Sequence, residues 1–288
     1  MCAALLMDSD KYKQYDLHCH STASDGELSP TALVRHAAEC GVDVLALTDH
    51  DVTDGLAEAA EEARCHNLEF YSGVEISVNW DKHLIHIVGL NFDVENTQLQ
   101  NGLAGLREQR GGRAEEIARR LDKIGIEGSL EGAASFANGQ ILSRTHFARF
   151  LLQNGHVKTM QESFDRYLGA GKRAYVSAEW ASLKEAVEWI TAAGGQAVIA
   201  HPGRYKLSAT KLRCLIEDFK DAGGLGLEVI SGSQDINMTK NMADYVSRYE
   251  LYASIGSDYH GPSQVWRKMG RMPVLPKGCE PIWALWAN

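Results

Sequence analysis

The stretch Ser29-Pro-Thr-Ala-Leu-Val-Arg-His-Ala-Ala-Glu-Cys-Gly41, followed by Val44-Leu-Ala-Leu47 and Thr48-Asp-His-Asp51, sets the reading of this chain. Ser29 suits a helix N-cap, Pro30 suits the first helical position, where a missing N–H is not needed, and Gly41 suits the exit. The apolar run at 44–47 reads as the strand that this helix feeds. The same rhythm extends both ways: strands at Tyr15–His18, Glu69–Ser72, Val74–Ser77 and Leu84–Leu90, and a helix over about Gly55–Asn67. Strands alternating with helices of this length imply βα units and a mostly parallel sheet. Between Asp93 and Val176 the alternation gives way to helical periodicity, with Leu99, Leu103 and Leu106, then Ile117, Leu121 and Ile124, and further helical segments around Phe147 and Phe164. It resumes at Ser182-Leu-Lys-Glu185, a capping box, and continues through strands at Gln196–Ala200, Gly226–Val229 and Leu251–Ile255. The fold expected is α/β, with residues 12–92 and 177–288 forming one unit and 93–176 an inserted, mainly helical subdomain.

With 288 residues, 44% hydrophobic and 23% charged, the chain can bury a large core, which excludes fibrous and disordered classes. Its net charge of −9 leaves no global cationic surface for long duplex nucleic acid, so an anionic ligand needs metals or a few placed Arg and Lys residues. Six cysteines without any C-x-x-C read as reduced thiols. No signal-like segment and no apolar run near the ~18 residues of a membrane span is present. The expectation is a soluble, cytoplasmic protein with no membrane partner.

Chemistry-bearing residues gather where the apolar strands stop, the edge at which parallel α/β folds assemble sites. His18 and His20 flank Cys19, and strand alternation turns both imidazoles to one side. Asp49 and His50 follow the second strand, Glu75 the third, and His83 and His86 lie on the fourth, where i and i+3 face opposite ways and only one points inward. His201 ends a later strand, and Asp258 and His260 end the last. Charged groups repeated at every strand end are poorly explained as packing, because buried charges must be paired or metal-bound. Imidazole mixed with carboxylate suits Mn²⁺, Fe²⁺ or Zn²⁺, and about nine donors fit three ions better than one.

The set Asp16-Leu-His18-Cys-His20-Ser, Thr48-Asp49-His50-Asp51, Glu75, His86, His201-Pro and Gly256-Ser-Asp258-Tyr-His260 resembles the polymerase-and-histidinol-phosphatase (PHP) family of phosphoesterases. Ser24-Asp25-Gly26, Ser143-Arg-Thr-His-Phe-Ala-Arg149, Tyr167-Leu-Gly, His201-Pro-Gly-Arg204-Tyr205 and Ser231-Gly-Ser233 are similar to its TrpH-like group. The resemblance implies a distorted (β/α)7 barrel and three divalent ions, with Mn²⁺ favoured. His18, His20, Glu75 and Asp258 would hold one ion; Glu75, His86 and His201 a second; Asp25, His50 and His260 the third. Asp25 departs from those branches of the family that carry His there.

What the resemblance implies for activity is hydrolysis of the 3′-phosphate of a 3′,5′-bisphosphonucleotide, with trimming of short RNA from its 5′ end as an associated activity. A metabolite phosphatase of the histidinol phosphate type and an inactive nucleotide or metal sensor are the alternatives. Asp258 would accept a proton from the attacking water, and His201 or His260 would assist the leaving group. Arg204, Arg144, His146, Lys172 and Ser231 are the candidate substrate contacts, with Arg204 placed near the metals by its closeness in sequence to His201. Trp180 reads as packing before it reads as a base-stacking platform, and the arginines between 107 and 120 as a solvated helix face before an oligonucleotide contact.

Overall fold

The computed structural model describes residues 13–137, 141–232, 234–264 and 268–286. Ser29 Oγ accepts from Ala32 N at 3.2 Å and Pro30 opens the first helix, so the local code at 29–30 is realised as written. That helix, α1 (Pro30–Glu39), crosses from β1 (Tyr15–Asp16) to β2 (Val44–Leu47), and α2 (Leu56–Cys65) crosses from β2 to β3 (Glu69–Trp80). All three strands are parallel. β3 is one twelve-residue strand rather than two: it pairs with β2 through Ser72, then leaves it to pair with β4 (His83–Leu90).

β4 runs antiparallel to β3, a departure from the parallel expectation. Its cause is the two-residue link Asp81-Lys82, in which both residues adopt positive φ, 41° and 66°. That is the primed hairpin geometry whose twist matches the flanking strands. Neither residue is Gly or Asn, so the turn carries no local sequence signature.

Asn96 caps α3 (Thr97–Asp122). Leu99, Leu103 and Leu106 of this helix pack into the same apolar core as the sheet, whereas Ala114, Ile117 and Leu121 belong to a second core. That second core is shared with α4 (Ser129–Ala134), α5 (Arg144–Gln153) and the segment of α6 (Met160–Ser163) and the π-turn Phe164–Leu168. One helix therefore joins the two cores.

Beyond the insertion, β5 (Ala181–Ser182) adds to β3, and the Ser182/Glu185 capping box opens α7 (Leu183–Ala192). β6 (Gln196–Ile199), α8 (Ala209–Asp221), β7 (Gly226–Ser231), α9 (Ile236–Tyr249) and β8 (Tyr252–Gly256) restore the parallel rhythm. The strand order is β1-β2-β3-β4-β6-β7-β8, with β4 antiparallel to both neighbours. Leu17 N donates to Ile255 O at 3.0 Å and Cys19 bridges Tyr259, so β8 returns to the first strand and the sheet curls into a barrel. Gly256 allows this approach, since a Cβ there would lie 2.2 Å from His18 Cβ.

Arg119 sits on a solvated face, pairing with Glu116 on the same helix, but the other arginines of α3 depart from the solvated face that their charge pattern suggests. Arg110 is buried, donating to Asp51 Oδ2 at 2.7 Å and Ser77 Oγ at 2.8 Å. Arg107 donates to Asp51 O, Arg113 to Val176 O and Arg120 to Tyr175 O. Trp180 lies beneath two of these guanidinium groups, Arg110 at 4.7 Å and Arg113 at 5.4 Å, which is a packing role. Removing one partner of a buried ion pair strands the other charge. Arg110→Ala is therefore expected to lower the unfolding free energy by about 3–5 kcal/mol in urea titration; a loss under about 1 kcal/mol, the worth of an exposed pair, would contradict this anchoring.

Candidate metal centre

Past the end of β1, strand-like alternation sends Leu17 and Cys19 into the core, Cys19 Sγ donating to Ala46 O at 3.3 Å. His18 and His20 face the other way, with their Nε2 atoms 3.2 Å apart. They meet Glu75, which sits just beyond the point where β3 leaves β2 and is 1% exposed. Glu75 Oε2 lies 3.3 Å from His18 Nε2, 3.3 Å from His20 Nε2 and 3.1 Å from His50 Nδ1. Its other oxygen, Oε1, lies 2.9 Å from His86 Nδ1 and 3.0 Å from His201 Nε2. Asp258 Oδ1 approaches His18 and His20 at 3.6 and 3.3 Å, and Asp25 Oδ1 faces His260 Nε2 at 3.4 Å and His50 Nε2 at 3.9 Å. His83, in contrast, is exposed and lies beside Trp80.

Ligand atoms come within 4.8 Å of one another in three groups: His18, His20, Glu75 and Asp258; His50, Glu75 and His86; and His20, Asp25, His50 and His260. The first matches the set the resemblance implies. In the second His50 stands where His201 was expected, although His201 still reaches Glu75, and the third gains His20. The donor chemistry fits divalent ions. Ligands at ~2.0–2.2 Å from a shared tetrahedral ion lie ~3.3–3.6 Å apart, close to the spacings here. Asp25 Oδ1 and His50 Nδ1 are buried without a hydrogen-bond partner, although each faces other donors of the groups.

The electrostatics point the same way. Burial alone would raise the Glu75 carboxyl, but the surrounding imidazoles hold it well below the usual carboxylate range. Burial pushes His20 down, yet Asp258 and Glu75 outweigh it and lift the imidazole to about 9. The pocket favours positive charge. His50 and His201 are pushed down by burial, which suits neutral, ligating rings.

A shell of buried carboxylates holds this arrangement. Asp49 does not join the groups; it accepts from Ser21 N, Ser21 Oγ and Ser24 Oγ and fixes the loop that carries Asp25. Asp16 accepts from Ser257 N at 2.8 Å, and burial raises its carboxyl to about 6. Glu228, which sequence reasoning missed, has one oxygen 2.5 Å from His18 Nδ1 and accepts from His201 N with the other at 2.5 Å. Its only signal was a lone acid inside the apolar strand Gly226-Leu-Glu-Val-Ile. His201 and Asp258 both adopt positive φ, 31° and 52°, conformations that cost non-glycine residues ~1–3 kcal/mol and persist only where surroundings enforce them.

Of the expected substrate contacts, Arg204 is beside the cluster: it pairs with Asp258 Oδ2, and Nη2 donates to Ser231 Oγ at 3.1 Å. Ser231 is buried and thus committed to Arg204. Arg144 is half-buried, its guanidinium 5.9 Å from the Phe164 ring. His146 is 1% exposed, and its Nδ1 accepts from Ser143 N at 3.1 Å to complete a capping box on α5. Lys172 is exposed and makes no side-chain bond to the cluster among the described residues. Ser233 lies outside the described residues.

Two outcomes follow from these contacts. A carboxylate that fixes a ligating imidazole commonly tunes metal affinity ~10–100-fold, so Glu228→Gln should weaken Mn²⁺ uptake by chelator-stripped protein on that scale; unaltered uptake would count against its orienting role. Burial pushes His146 down to about 4 from an ordinary 6.5. The unfolded chain therefore binds a proton below pH 6.5 that the folded chain refuses until about pH 4, and stability drains across that window as pH falls. Gln keeps the reciprocal cap without titrating, so His146→Gln should move the acid-unfolding midpoint to lower pH.

Comparison with known proteins places the chain in context. The 3′,5′-nucleoside bisphosphate phosphatase of Chromobacterium violaceum is 48% identical over 269 residues, covering 93% of this chain and 94% of that protein. The 5′-3′ exoribonuclease Rnm of Escherichia coli is 45% identical over 274 residues, covering 94% of this chain and 93% of that one. A solved structure described as an amidohydrolase from Chromobacterium violaceum, with bound sulfate and no metal, superimposes with a TM-score of 0.91 at 47% identity, covering 94% of this chain and 95% of that one. A family model described as the PHP domain matches residues 16–229. With its donors converging on Glu75 and its sheet curled into a barrel, this chain belongs to the PHP family.

Proposed function

We propose that this protein is a metal-dependent phosphoesterase that removes the 3′-phosphate of 3′,5′-bisphosphonucleotides such as pAp, and that the same site trims short RNA from its 5′ end. The observation that carries the reading is the Glu75 carboxylate ringed by His18, His20, His50, His86 and His201, with Arg204 alongside. The relatives named as a bisphosphate phosphatase and an exoribonuclease support the substrate class, and the sulfate bound by the similar solved structure is a tetrahedral dianion like phosphate.

In this reading three ions, Mn²⁺ by donor type, would be held by His18, His20, Glu75 and Asp258; by Glu75, His86 and His201 with His50 close by; and by Asp25, His50 and His260 with His20 close by. When bound, divalent ions lower the pKa of a water ligand toward ~7 and neutralise phosphoryl charge. The chain's own residues supply the rest. Asp258 presents Oδ1 to the cluster while Arg204 fixes Oδ2, which places it to accept the proton of the attacking water. His260 commits Nδ1 to Asp258 O at 3.0 Å, and both it and His201 turn Nε2 toward a carboxylate. They are placed to ligate, and this reading assigns them that role in preference to protonating a leaving group. Arg204 keeps further N–H donors of its fork for the second, non-reacting phosphate.

Residues 93–176 are proposed as an inserted helical subdomain, with the qualification that the first turns of α3 belong to the barrel core. No helix among the described residues is long and apolar enough to cross a membrane, and free thiols at Cys19, Cys40, Cys65, Cys214 and Cys279 fit a reducing cytoplasm.

Phosphate release by Mn²⁺-loaded protein from pAp, beside 5′-AMP, histidinol phosphate and a 5′-phosphorylated RNA oligomer, tests the reading. Turnover of pAp over 5′-AMP is expected, falling at least ~100-fold in His201→Ala, since loss of even an outer-shell partner costs ~10–100-fold. If pAp is untouched while another ester turns over, the substrate assignment falls. Metal uptake with no turnover of any ester would leave a sensor.

A further inference from the structure

Helix α5 of the insertion takes hold of Asp25. Thr145 Oγ1 donates to Asp25 Oδ2 at 3.0 Å, and Ser143 Oγ donates to the same oxygen at 3.3 Å. One turn further on, Arg149 Nη2 donates to Asp25 O at 3.1 Å and lies 3.4 Å from Glu27 Oε1. The other carboxylate oxygen, Asp25 Oδ1, is buried, lacks a hydrogen-bond partner and faces His260 and His50.

The division between the two oxygens matters because an aspartate carboxylate rotates easily: its terminal torsion has broad wells and no strong preference. Asp25 also lies in the turn after β1, outside any helix or strand; backbone bonds from Gly26 N to Ser21 O and from Glu27 N to His260 O close that turn but leave the direction of its side chain open. Asp49 grips the front of that turn through Ser21 and Ser24. Its far side is gripped from the insertion. With Oδ2 occupied by two hydroxyls, Oδ1 is left aimed at the two imidazoles.

We propose that Thr145 is a positioning residue for the third metal ion, acting through Asp25, and that the helical insertion is thereby a structural part of that ion's site. The proposal rests on the three-ion reading above. Ser143 is a poor probe because it also caps α5, accepting from Thr145 N at 3.1 Å. Thr145 is the better one: valine keeps its shape and deletes the hydroxyl, and serine restores the hydroxyl.

The experiment is a Mn²⁺ titration of full-length, chelator-stripped protein, with free Mn²⁺ followed by electron paramagnetic resonance. Wild-type protein should take up three ions. Thr145→Val should bind two with unaltered affinity and the third ~10–100-fold more weakly, with thermal unfolding of the stripped protein unchanged, and Thr145→Ser should recover the third. Three unaltered affinities in Thr145→Val overturn the positioning role. So does equal weakening of all three, or failure of serine to restore the third. Wild-type protein that takes up fewer than three ions overturns the three-ion reading itself, and the role of Thr145 with it.

Discussion

A single buried carboxylate governs this molecule. Glu75 is removed from water and stays ionised, which in a low-dielectric interior demands compensating positive charge within a few ångströms. Five imidazoles from different parts of the chain supply the approach. The carboxylates around His18 and His20 pull those two rings toward the charged form, which meets part of that demand, and a bound divalent ion would meet it with the rings acting as neutral ligands. The barrel is the device that makes the convergence possible, because it curls its strands so that segments distant in sequence deliver side chains to one spot. The reversed strand β4 serves the same end: its hairpin with β3 sets His86 opposite Ser77, two residues along from Glu75 and on the same face of the sheet.

Around that centre lies a shell of acids that bind no ion in the arrangement described. Glu228, Asp16 and Asp49 each accept from backbone N–H groups of loops that carry donors, and Asp51 accepts from Ser77 N in β3, two residues beyond Glu75. This is how residues such as His201, in a conformation unfavourable for a side-chain-bearing residue, are kept in place. A carboxylate here does what a strand ladder does elsewhere. It fixes a backbone that has no regular partner, and in the case of Glu228 it also selects which ring nitrogen of His18 is presented.

The donors were legible in the sequence because their chemistry is written locally. Alternation puts His18 and His20 on one side, and strand-terminal clusters such as Thr48–Asp51 and Gly256–His260 mark the edge where a barrel can place a site. The helix signals at Ser29-Pro30 and Ser182–Glu185 were equally local. What could not be read depends on contacts across the fold. The Asp81-Lys82 turn lacks the residues that announce such turns, so the reversal of β4 was invisible. Arg110 sits in a charged helical pattern like that of any solvated face, yet it is buried against Asp51, a partner 59 residues away. The capping role of His146 could not be read either, because it appears only once the start of α5 is fixed.

These long-range contacts bear on how the insertion relates to the site. A lid that swings freely would be attached by its ends alone. Here α3 is tied to Asp51, the residue after His50, and buries its first turns in the barrel core, while α5 holds Asp25 and Glu27. The two attachments flank the same imidazole, His50; the first runs from the entry of the insertion as far as Arg110, and the second lies well inside it. Motion of the helical cluster as a body would therefore strain two donor-bearing loops together and disturb a buried ion pair, which costs several kcal/mol to break. The economical arrangement is a wall fixed against the metal centre, with Arg204 held separately by Asp258 and Ser231. A wall fixed in this way holds Asp25 and the residue after His50 in place together, so the donors on those two loops keep their spacing without the insertion having to close over them.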